Sequence, residues 1–369
     1  MTMETAREDL EARARAGQAA AQVQLAACCD AEGRHSDAID WLARAAGTGD
    51  AEALDKLGVR LITGENAPWR PLDGAGLLVD AARHGNGQGA ARVSVLAGGG
   101  FYGPQSWEVA LDFLQRSAEL NWAPAQDQLR LLGDGAALKG APLAEVWGRL
   151  RRTVDLSHWT AAPASVVHND QPLVRSVANL VPGEICDWII AQSAPRLVRA
   201  EVHDPETGQA IMGDTRTNRV ANFGLMETNL VNLLVQARIA AATGAPTTMM
   251  EAFAVLHYAV GEEASEHFDY LDPAIPAYST EIAELGQRVA TCLLYLNDGY
   301  SGGETAFPRL GLEHLGRRGD ALIFFSVDAA GMPDPRSLHA GRPPTAGEKW
   351  VLSQFIRNKP RVGLGATRS

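Results

Sequence analysis

The first third of the sequence repeats itself at a step of 36 residues. Several sets of small or apolar residues recur at this step, and a weaker copy lies 32 residues upstream, where Leu25 matches Leu57. The matching sets are Trp41, Leu77 and Phe113; Leu42, Leu78 and Leu114; Ala46, Ala82 and Ala118; and Leu57, Val93 and Leu129. A period in the thirties is typical of units of two packed helices, which bury their apolar faces by stacking. The repeat therefore predicts an array of helical hairpins.

A turn signal follows the first helix of each unit, for example Gly47-Thr48-Gly49 and His84-Gly85. Such residues are typical of a helix C-terminus. The units resemble tetratricopeptide-like repeats, most closely the variety with an alanine-alanine-x-x-glycine ending. We predict that residues 5–155 form this helical domain. Its role is either a stabilising scaffold or a docking surface for a protein or peptide, and we favour docking.

The sequence changes character after Pro163 and Pro172, which indicate the joint to a second domain at residues 160–360. Short β-rich runs follow, separated by glycines and prolines. The predicted strands cover 252–260, 288–297, 320–326, 337–341 and 350–357, and the predicted helices cover 185–193 and 227–243. Short strands without alternating helices favour an antiparallel jelly roll. The expected fold class is a multidomain α + β protein.

Composition excludes several function classes. Hydrophobic residues make up 46% of the 369 residues and charged residues 21%, which is the balance of a soluble globular protein. The net charge of −11 argues against nucleic acid as the main partner. No apolar run approaches the length of a membrane span, and the acidic first 16 residues do not resemble a signal peptide. We therefore expect no membrane partner and a cytoplasmic location.

His267-Phe268-Asp269 is the first group in the second domain that suggests chemistry. On an extended segment, residues i and i+2 point to the same face, so one metal ion could bind both side chains. This short motif is frequent by chance, and its ordinary role is a polar strand end. His339, 70 residues after Asp269, is a candidate third ligand. Two histidines and one carboxylate are typical of non-haem iron(II) sites, which leave coordination positions open.

Lys349 lies ten residues after His339, across a Pro343-Pro344 turn. A hairpin at this turn would return the lysine to the mouth of the barrel. A lysine inside a barrel is costly unless it meets an anion, and the distal carboxylate of 2-oxoglutarate would be such an anion. The alternative is a lysine whose ammonium reaches solvent at a strand start. The residue alone leaves both roles open.

Six ordered sequence blocks indicate a family. They are His257-Tyr258-x-x-Gly261; His267-Phe268-Asp269-Tyr270; Leu294-Tyr295-Leu296-Asn297-Asp298; Gly302-Gly303-Glu304-Thr305-x-Phe307-Pro308; Gly319-Asp320-Ala321-Leu322; and Ser337-Leu338-His339-Ala340-Gly341 with Gly347-Glu348-Lys349-Trp350. Together they closely resemble prolyl 4-hydroxylases of the iron(II)/2-oxoglutarate dioxygenase superfamily. The resemblance covers residues 173–358, about half of the chain.

This resemblance implies a C-terminal double-stranded β-helix with flanking helices and assigns roles to six residues. Iron would be bound by His267, Asp269 and His339. The distal carboxylate of 2-oxoglutarate would be held by Lys349, helped by the hydroxyls of Tyr258 and Thr305. The resemblance implies no catalytic residue beyond the metal site.

The same resemblance implies the reaction and its cofactors. Iron(II) would be the cofactor, 2-oxoglutarate and oxygen the cosubstrates, and L-ascorbate the reductant. The expected reaction hydroxylates a prolyl or other residue of a protein or peptide and converts 2-oxoglutarate to succinate. Ala264 and Glu266 depart from the residues common in the family beside the substrate. A free amino acid or small metabolite is therefore an alternative substrate, and a non-catalytic metal-binding adaptor is a third hypothesis.

Overall fold

The computed structural model describes residues 3–200, 202–203, 210–211 and 216–360. These residues divide into two compact units. The first unit contains residues 3–156 and 225–233, and the second contains the described residues of 157–224 and 234–360. Parts of the predicted second domain, at 201, 204–209 and 212–215, lie outside the described residues.

Helices follow one another through the first unit, as the repeat predicts, and the helical-hairpin array is confirmed. They are α1 (Met3–Arg15), α2 (Ala19–Ala31), α3 (His35–Gly47), α4 (Ala51–Thr63), α5 (Pro71–Arg83), α6 (Gly87–Gly99), α7 (Trp107–Glu119), α8 (Ala123–Leu132) and α9 (Val146–Thr153). Helix α10 (Leu156–Thr160) begins at the last residue of this stretch and continues into the second unit. The repeat step also appears in the turns. Gly49, Gly85 and Asn121, each 36 residues apart, have φ values of 85°, 92° and 61°. This left-handed conformation is open to glycine and tolerated by asparagine, so it ends each first helix at the same place.

Small residues allow the helices of the array to approach closely. Ala82 and Ala118, which share one repeat position, are buried. Between α4 and α5 the approach is closer still, since a Cβ added at Gly74 would lie 2.5 Å from the carbonyl oxygen of Gly58. Polar side chains close the helix starts, because Asp50 and Asn86 accept hydrogen bonds from backbone N–H groups of α4 and α6. The 36-residue period of the sequence therefore reflects turns, helix caps and close helix contacts that recur along the array.

The second unit consists mainly of short strands. They are β1 (Val166–Asp170), β2 (Leu173–Val177), β3 (Val198–Arg199), β4 (Val202–His203), β5 (Ala210–Ile211), β6 (Arg219–Asn222), β7 (Ala254–Tyr258), β8 (Ala264–His267), β9 (Arg288–Tyr295), β10 (Ser301–Gly302), β11 (Thr305–Phe307), β12 (Leu312–His314), β13 (Ala321–Phe325), β14 (His339–Gly341), β15 (Pro344–Ala346) and β16 (Lys349–Arg357). Helices α11 (Gly183–Ser193) and α13 (Pro276–Leu285) also belong to this unit, and α12 (Leu230–Thr243) begins in the first unit and continues into it.

Two antiparallel sheets form the core of this unit. The larger has the order β1-β2-β13-β9-β16-β7-β6-β3, and the smaller has the order β12-β11-β14-β8. Apolar side chains of both sheets meet in one buried cluster, in which Phe307 of the smaller sheet packs with Tyr295 and Val351 of the larger. Strands that follow one another in the chain alternate between the two sheets: β7 and β9 belong to the larger sheet, and β8 between them belongs to the smaller. The architecture expected of a double-stranded β-helix is therefore confirmed.

Two local expectations differ from the structure. Helix α13 was not predicted, because it begins at a proline and carries its apolar residues without a strong helical period. The hairpin expected between His339 and Lys349 is also absent from the described chain. Instead, β14 belongs to the smaller sheet, β15 pairs with β10, and β16 crosses to the larger sheet. None of the helices that the structure describes is both long and apolar enough to span a bilayer.

Candidate active site

His267, Asp269 and His339 converge at one point of the second unit. Their candidate ligand atoms, a nitrogen from each histidine and a carboxylate oxygen, all lie within 4.8 Å of one another. The register of β8 and β14 produces this convergence, because His267 and His339 are directly paired. Asp269 follows the end of β8 in a bend, so it reaches the site from outside the strand rather than along an extended segment. This donor set is compatible with iron(II).

The backbone fixes which nitrogen of each histidine is available. The Nδ1 of His267 lies 2.7 Å from the carbonyl oxygen of Ser265, and the Nδ1 of His339 lies 3.1 Å from that of Ser337. A carbonyl only accepts hydrogen bonds, so Nδ1 carries the proton in both rings and Nε2 holds a free lone pair. Both Nε2 atoms lie 3.5 Å from oxygens of Asp269. The two imidazoles are therefore oriented toward a shared ion.

Asp269 is held as a carboxylate although it is buried. Burial favours its neutral form, but electrostatic interactions with His339 and His267 and a hydrogen bond from Thr291 outweigh burial and hold the pKa of Asp269 well below its usual range. The hydroxyl of Thr291 donates to Oδ2 of Asp269 over 2.6 Å. The carboxylate is thus ionised and orientationally fixed before any metal binds.

His339 is the most enclosed member of the group. Its ring lies 4.6 Å from that of Phe324 and 5.7 Å from that of Phe307. Burial, reinforced by the charges of His267 and Arg216 and opposed by Asp269, lowers the pKa of His339 to about 4. The imidazole is neutral near pH 7, which is the form that binds a metal.

Lys349 begins β16 and points into the same pocket as the three residues above. Its side chain is 3% exposed, and its Nζ donates to the carbonyl oxygen of Gly303 over 2.6 Å. No carboxylate of the described residues lies within ion-pair distance of this ammonium. Burial lowers the pKa of Lys349 to about 8, partly offset by Glu304. A buried ammonium without a counter-ion is suited to bind an anionic ligand.

Tyr258 and Thr305 line the pocket beside Lys349, as the sequence analysis places them. Tyr258 is paired with Lys349 in the β7–β16 register, and its ring centre lies 5.4 Å from the lysine Nζ. Thr305 is buried, and its Oγ1 lies 2.9 Å from the hydroxyl of Tyr295. The structure thus brings all six predicted site residues to one pocket, while their individual roles stay predictions.

Other side chains that compete for these roles lie elsewhere. His257 binds Glu348 through Nε2 over 2.8 Å, and its ring packs on Trp350. His314 is partly buried against Tyr295, and its Nε2 has no hydrogen-bond partner among the described residues. Within the part of the chain that the structure describes, neither histidine belongs to a group close enough to share a metal ion.

Residues of β9 and of the segment before β6 also support the site, although no sequence motif indicated them. Thr291 shares the inward-facing alternation of β9 with Tyr295, so strand parity could have identified it. Arg216 lines the pocket, and nothing in its local sequence indicated this. Arg288, at the start of β9, forms a double hydrogen bond with Glu251 and lies over the ring of Phe355, which also lines the pocket.

Comparison with known proteins places this site in a family. Residues 253–357, which include all six predicted site residues, match the model of the 2OG-Fe(II) oxygenase superfamily. Prolyl 4-hydroxylase 1 of Arabidopsis thaliana is 31% identical over 202 residues, which is 51% of this chain and 70% of the plant protein. Prolyl 4-hydroxylase subunit alpha-1 of Gallus gallus is 30% identical over 190 residues, which is 52% of this chain and 36% of the subunit.

The chain thus spans about a third of the length of the vertebrate subunits that it matches. Among solved structures, the viral collagen prolyl hydroxylase of Paramecium Bursaria Chlorella virus-1 aligns with a TM-score of 0.38 and 23% identity, covering 50% of this chain and 95% of that chain. On the identity and coverage of the plant relative, this chain belongs to the prolyl 4-hydroxylase family of 2OG-Fe(II) oxygenases.

Proposed function

We propose that this chain is an iron(II)- and 2-oxoglutarate-dependent dioxygenase that hydroxylates a prolyl residue of a protein or peptide. The observation that carries the proposal is the convergence of His267, Asp269 and His339 in one pocket with the buried Lys349. The names of the relatives support a prolyl substrate. L-Ascorbate as reductant is part of the proposal, and a cytoplasmic location stays a prediction.

The residues of the pocket fit the group that the family requires. His267, Asp269 and His339 would hold iron(II), and Lys349, Tyr258 and Thr305 would hold the distal carboxylate of 2-oxoglutarate. When bound, these groups with oxygen supply the oxidising power for hydroxylation of a C–H bond as 2-oxoglutarate becomes succinate and carbon dioxide.

The chain itself contributes position and charge. With His267, Asp269 and His339 as its protein ligands, a bound iron(II) would keep coordination positions open for cosubstrates. The Nδ1–H bonds of both histidines and the Thr291 hydroxyl fix the ligands, and the Lys349 ammonium orients a dicarboxylate. Buried apolar residues on both sheets keep bulk water away from the inner wall of the pocket.

Turnover and product analysis test this function. The enzyme is incubated with iron(II), 2-oxoglutarate, ascorbate and proline-rich peptides, succinate is quantified, and the peptides are searched by mass spectrometry for one added oxygen atom. We expect succinate and hydroxylated proline in comparable amounts. Succinate with oxidation of free proline alone would favour the small-molecule alternative. No succinate and no bound iron would contradict the proposal.

We further propose that the helical array binds the protein substrate. In support, α2, α4 and α6 line a groove with a volume of about 630 Å³. Ion pairs cross the groove wall between successive helices, from Arg60 to Asp30 and from Arg92 to Asp55, and Lys56 is half-exposed beside them. A groove with fixed charges of both signs is suited to a peptide that carries both signs.

A charge reversal in the groove tests docking in the full chain. Lys56→Glu is expected to raise KM several-fold for an intact protein substrate and to leave KM for a short prolyl peptide unchanged. Lys139→Glu is the matched control, since Lys139 is an exposed lysine outside the groove. Equal effects of the two substitutions on the protein substrate would contradict docking at this groove.

A further inference from the structure

His314 of β12 is a titratable residue directly beside the wall of the cosubstrate pocket. It is paired with Thr305 in the β11–β12 register, and the side chains of directly paired residues share one face, with Cβ atoms about 4.5–5.5 Å apart. Thr305 lines the pocket. Phe307 and Leu312, the next pair on the same face, pack into the core between the sheets. His314 therefore lies on the inner face of the smaller sheet, next to a residue proposed to hold 2-oxoglutarate.

Tyr295 of the larger sheet joins His314 to the same pocket. Its ring centre lies 5.7 Å from that of His314 and 5.5 Å from Nζ of Lys349. Its hydroxyl lies 2.9 Å from Oγ1 of Thr305. A Cβ added at Gly316 would overlap the ring of Tyr295, so the backbone that follows His314 lies directly against this ring. His314, Thr305 and Lys349 thus surround one buried tyrosine, and the position of His314 is fixed.

The charged and titratable groups that face His314 come from four parts of the described chain. They are His168 of β1, with its ring centre 5.7 Å from that of His314, Tyr295 of β9, Asp320 before β13 and Lys349 of β16. Burial and the charges of His168 and Lys349 hold the pKa of His314 below its ordinary value, and Asp320 opposes them. The imidazole is therefore neutral near pH 7 as long as no anion is bound at Lys349.

The charge of Lys349 couples His314 to the cosubstrate. The ammonium disfavours a second positive charge on His314, and a carboxylate bound to Lys349 would cancel this effect. The proton affinity of His314 then rises when the carboxylate binds. Because such coupling is reciprocal, the carboxylate is bound more tightly when His314 carries the proton. Both side chains are partly or fully removed from water, so their electrostatic interaction is only weakly screened.

We propose that His314 is a positioning residue of the cosubstrate site, which takes up a proton as the distal carboxylate of 2-oxoglutarate binds and then holds this carboxylate by its charge from the side of Thr305. This inference rests on the proposed function for the identity of the anion. The proton comes from solvent and returns to it when the dicarboxylate leaves. His314 touches neither iron nor the reacting atoms in this proposal, and it acts only on the strength of cosubstrate binding.

Proton uptake on binding tests the proposal in the full chain. The enzyme is loaded with Mn²⁺ in place of iron(II), and 2-oxoglutarate is titrated calorimetrically at about pH 6.5, the ordinary pKa of histidine, in two buffers of different ionisation enthalpy. The difference in heat gives the number of protons bound per 2-oxoglutarate. We expect uptake of a substantial fraction of one proton. The affinity should rise about threefold to tenfold as the pH falls from about 7.5 to 6, which is a lower range than the titration of Lys349.

Three variants complete the test. His314→Gln and His314→Phe should both remove the proton uptake and the rise in affinity, and at about pH 8 they should bind 2-oxoglutarate like the parent, because His314 is neutral there. His257→Gln should retain both effects, since His257 is bonded to Glu348.

Two results would overturn the proposal: 2-oxoglutarate binding to the parent without proton uptake, or uptake that persists in both His314 variants. Loss of uptake in His257→Gln as well would also overturn it, because the effect would then not belong to His314. Failure of the proposed function is distinguishable, because the parent would then bind no 2-oxoglutarate at any pH.

Discussion

The two units of this chain place their ionisable groups in opposite ways. In the helical array, most ion pairs are exposed and join residues close in sequence, such as Arg13 with Asp9 and Arg34 with Asp37. In the β unit, Asp269, His339 and Lys349 are all buried and come from separate strands or bends. Exposed pairs contribute little to stability, whereas buried groups are costly unless they have partners. The charged groups of the array therefore lie mainly at its surface. The β unit instead buries ionisable groups where a bound ligand can compensate their charge.

The largest effect on the β unit is expected from the removal of a proposed metal ligand. His339→Ala should abolish iron(II) binding and turnover, since the remaining two ligands cannot hold the ion in place. Asp269→Glu should also lose roughly 100-fold or more in turnover, because one added methylene displaces the ligand oxygen. Metal binding by titration and succinate formation check both variants.

The control for this prediction is His257→Ala, because His257 is bonded to Glu348 outside the metal-binding group. We expect this variant to retain iron(II) binding. A His339→Ala enzyme that produces succinate at the parent rate would show that the three residues are not the iron site.

The next largest effect concerns the buried ammonium. Lys349→Ala should weaken 2-oxoglutarate binding by roughly 10²–10³-fold, because the distal carboxylate would be buried without its partner. Iron binding should stay near normal, and Lys349→Arg should recover part of the affinity, since a planar fork needs more room than an ammonium. Anaerobic titration of the iron(II) enzyme with 2-oxoglutarate measures this. Lys359→Ala, which alters an exposed lysine, is the matched control.

The same lysine predicts a pH dependence with a definite sign. Its pKa of about 8 in the folded chain lies below the ordinary value of 10.5, because burial disfavours the charged form. Above pH 8 the ammonium loses its proton, so 2-oxoglutarate affinity should fall up to about tenfold per pH unit. Between pH 8 and 10.5 the unfolded chain binds the extra proton, so this group makes stability rise with pH. Lys349→Ala should remove both trends, and trends that persist in this variant would assign them to other groups.

A smaller effect is expected at Thr291, whose hydroxyl donates to Asp269. Thr291→Val keeps the shape of the side chain and removes the hydrogen bond, so the carboxylate loses one of its fixing contacts. We expect a loss of about tenfold to 100-fold in metal affinity, which Mn²⁺ titration of the metal-free enzyme measures without turnover. Thr291→Ser should restore the affinity. Equal affinity of the valine variant and the parent would show that the strand alone orients Asp269.

The contrast between the units also explains what the sequence could predict. The array was predictable from residues alone, because contacts between neighbouring helices repeat at the same step as Leu42, Leu78 and Leu114. The β fold class was predictable from short strands, whereas its pairing was not. His267 and His339 meet only through a register between strands 72 residues apart in sequence, and the resemblance to a family supplied this pairing. Arg216 and Thr291 lay outside the quoted motifs and needed the structure.

The smallest effect on the site is expected from packing changes in the array, and two glycines of α5 offer a matched pair. A Cβ at Gly74 would lie 2.5 Å from the Gly58 carbonyl oxygen and 2.8 Å from a carbon of Ile62, whereas a Cβ at Gly76 would have no neighbour within 4 Å. Gly74→Ala should destabilise the array by about 1–3 kcal/mol, because neither the backbone nor the buried Ile62 can yield freely. Gly76→Ala should stabilise it by up to about 1 kcal/mol, since alanine favours the helix.

Thermal unfolding followed by circular dichroism measures both changes, and 2-oxoglutarate titration checks that the site is unaffected. If the units are energetically separate, the affinity for 2-oxoglutarate should be the same in both variants and in the parent. A loss of cosubstrate affinity in Gly74→Ala, at a temperature where the protein is folded, would show that array packing is coupled to the pocket. In that case the contrast between a structural array and a chemical β unit would no longer hold, because the close contact at Gly74 would itself support the site.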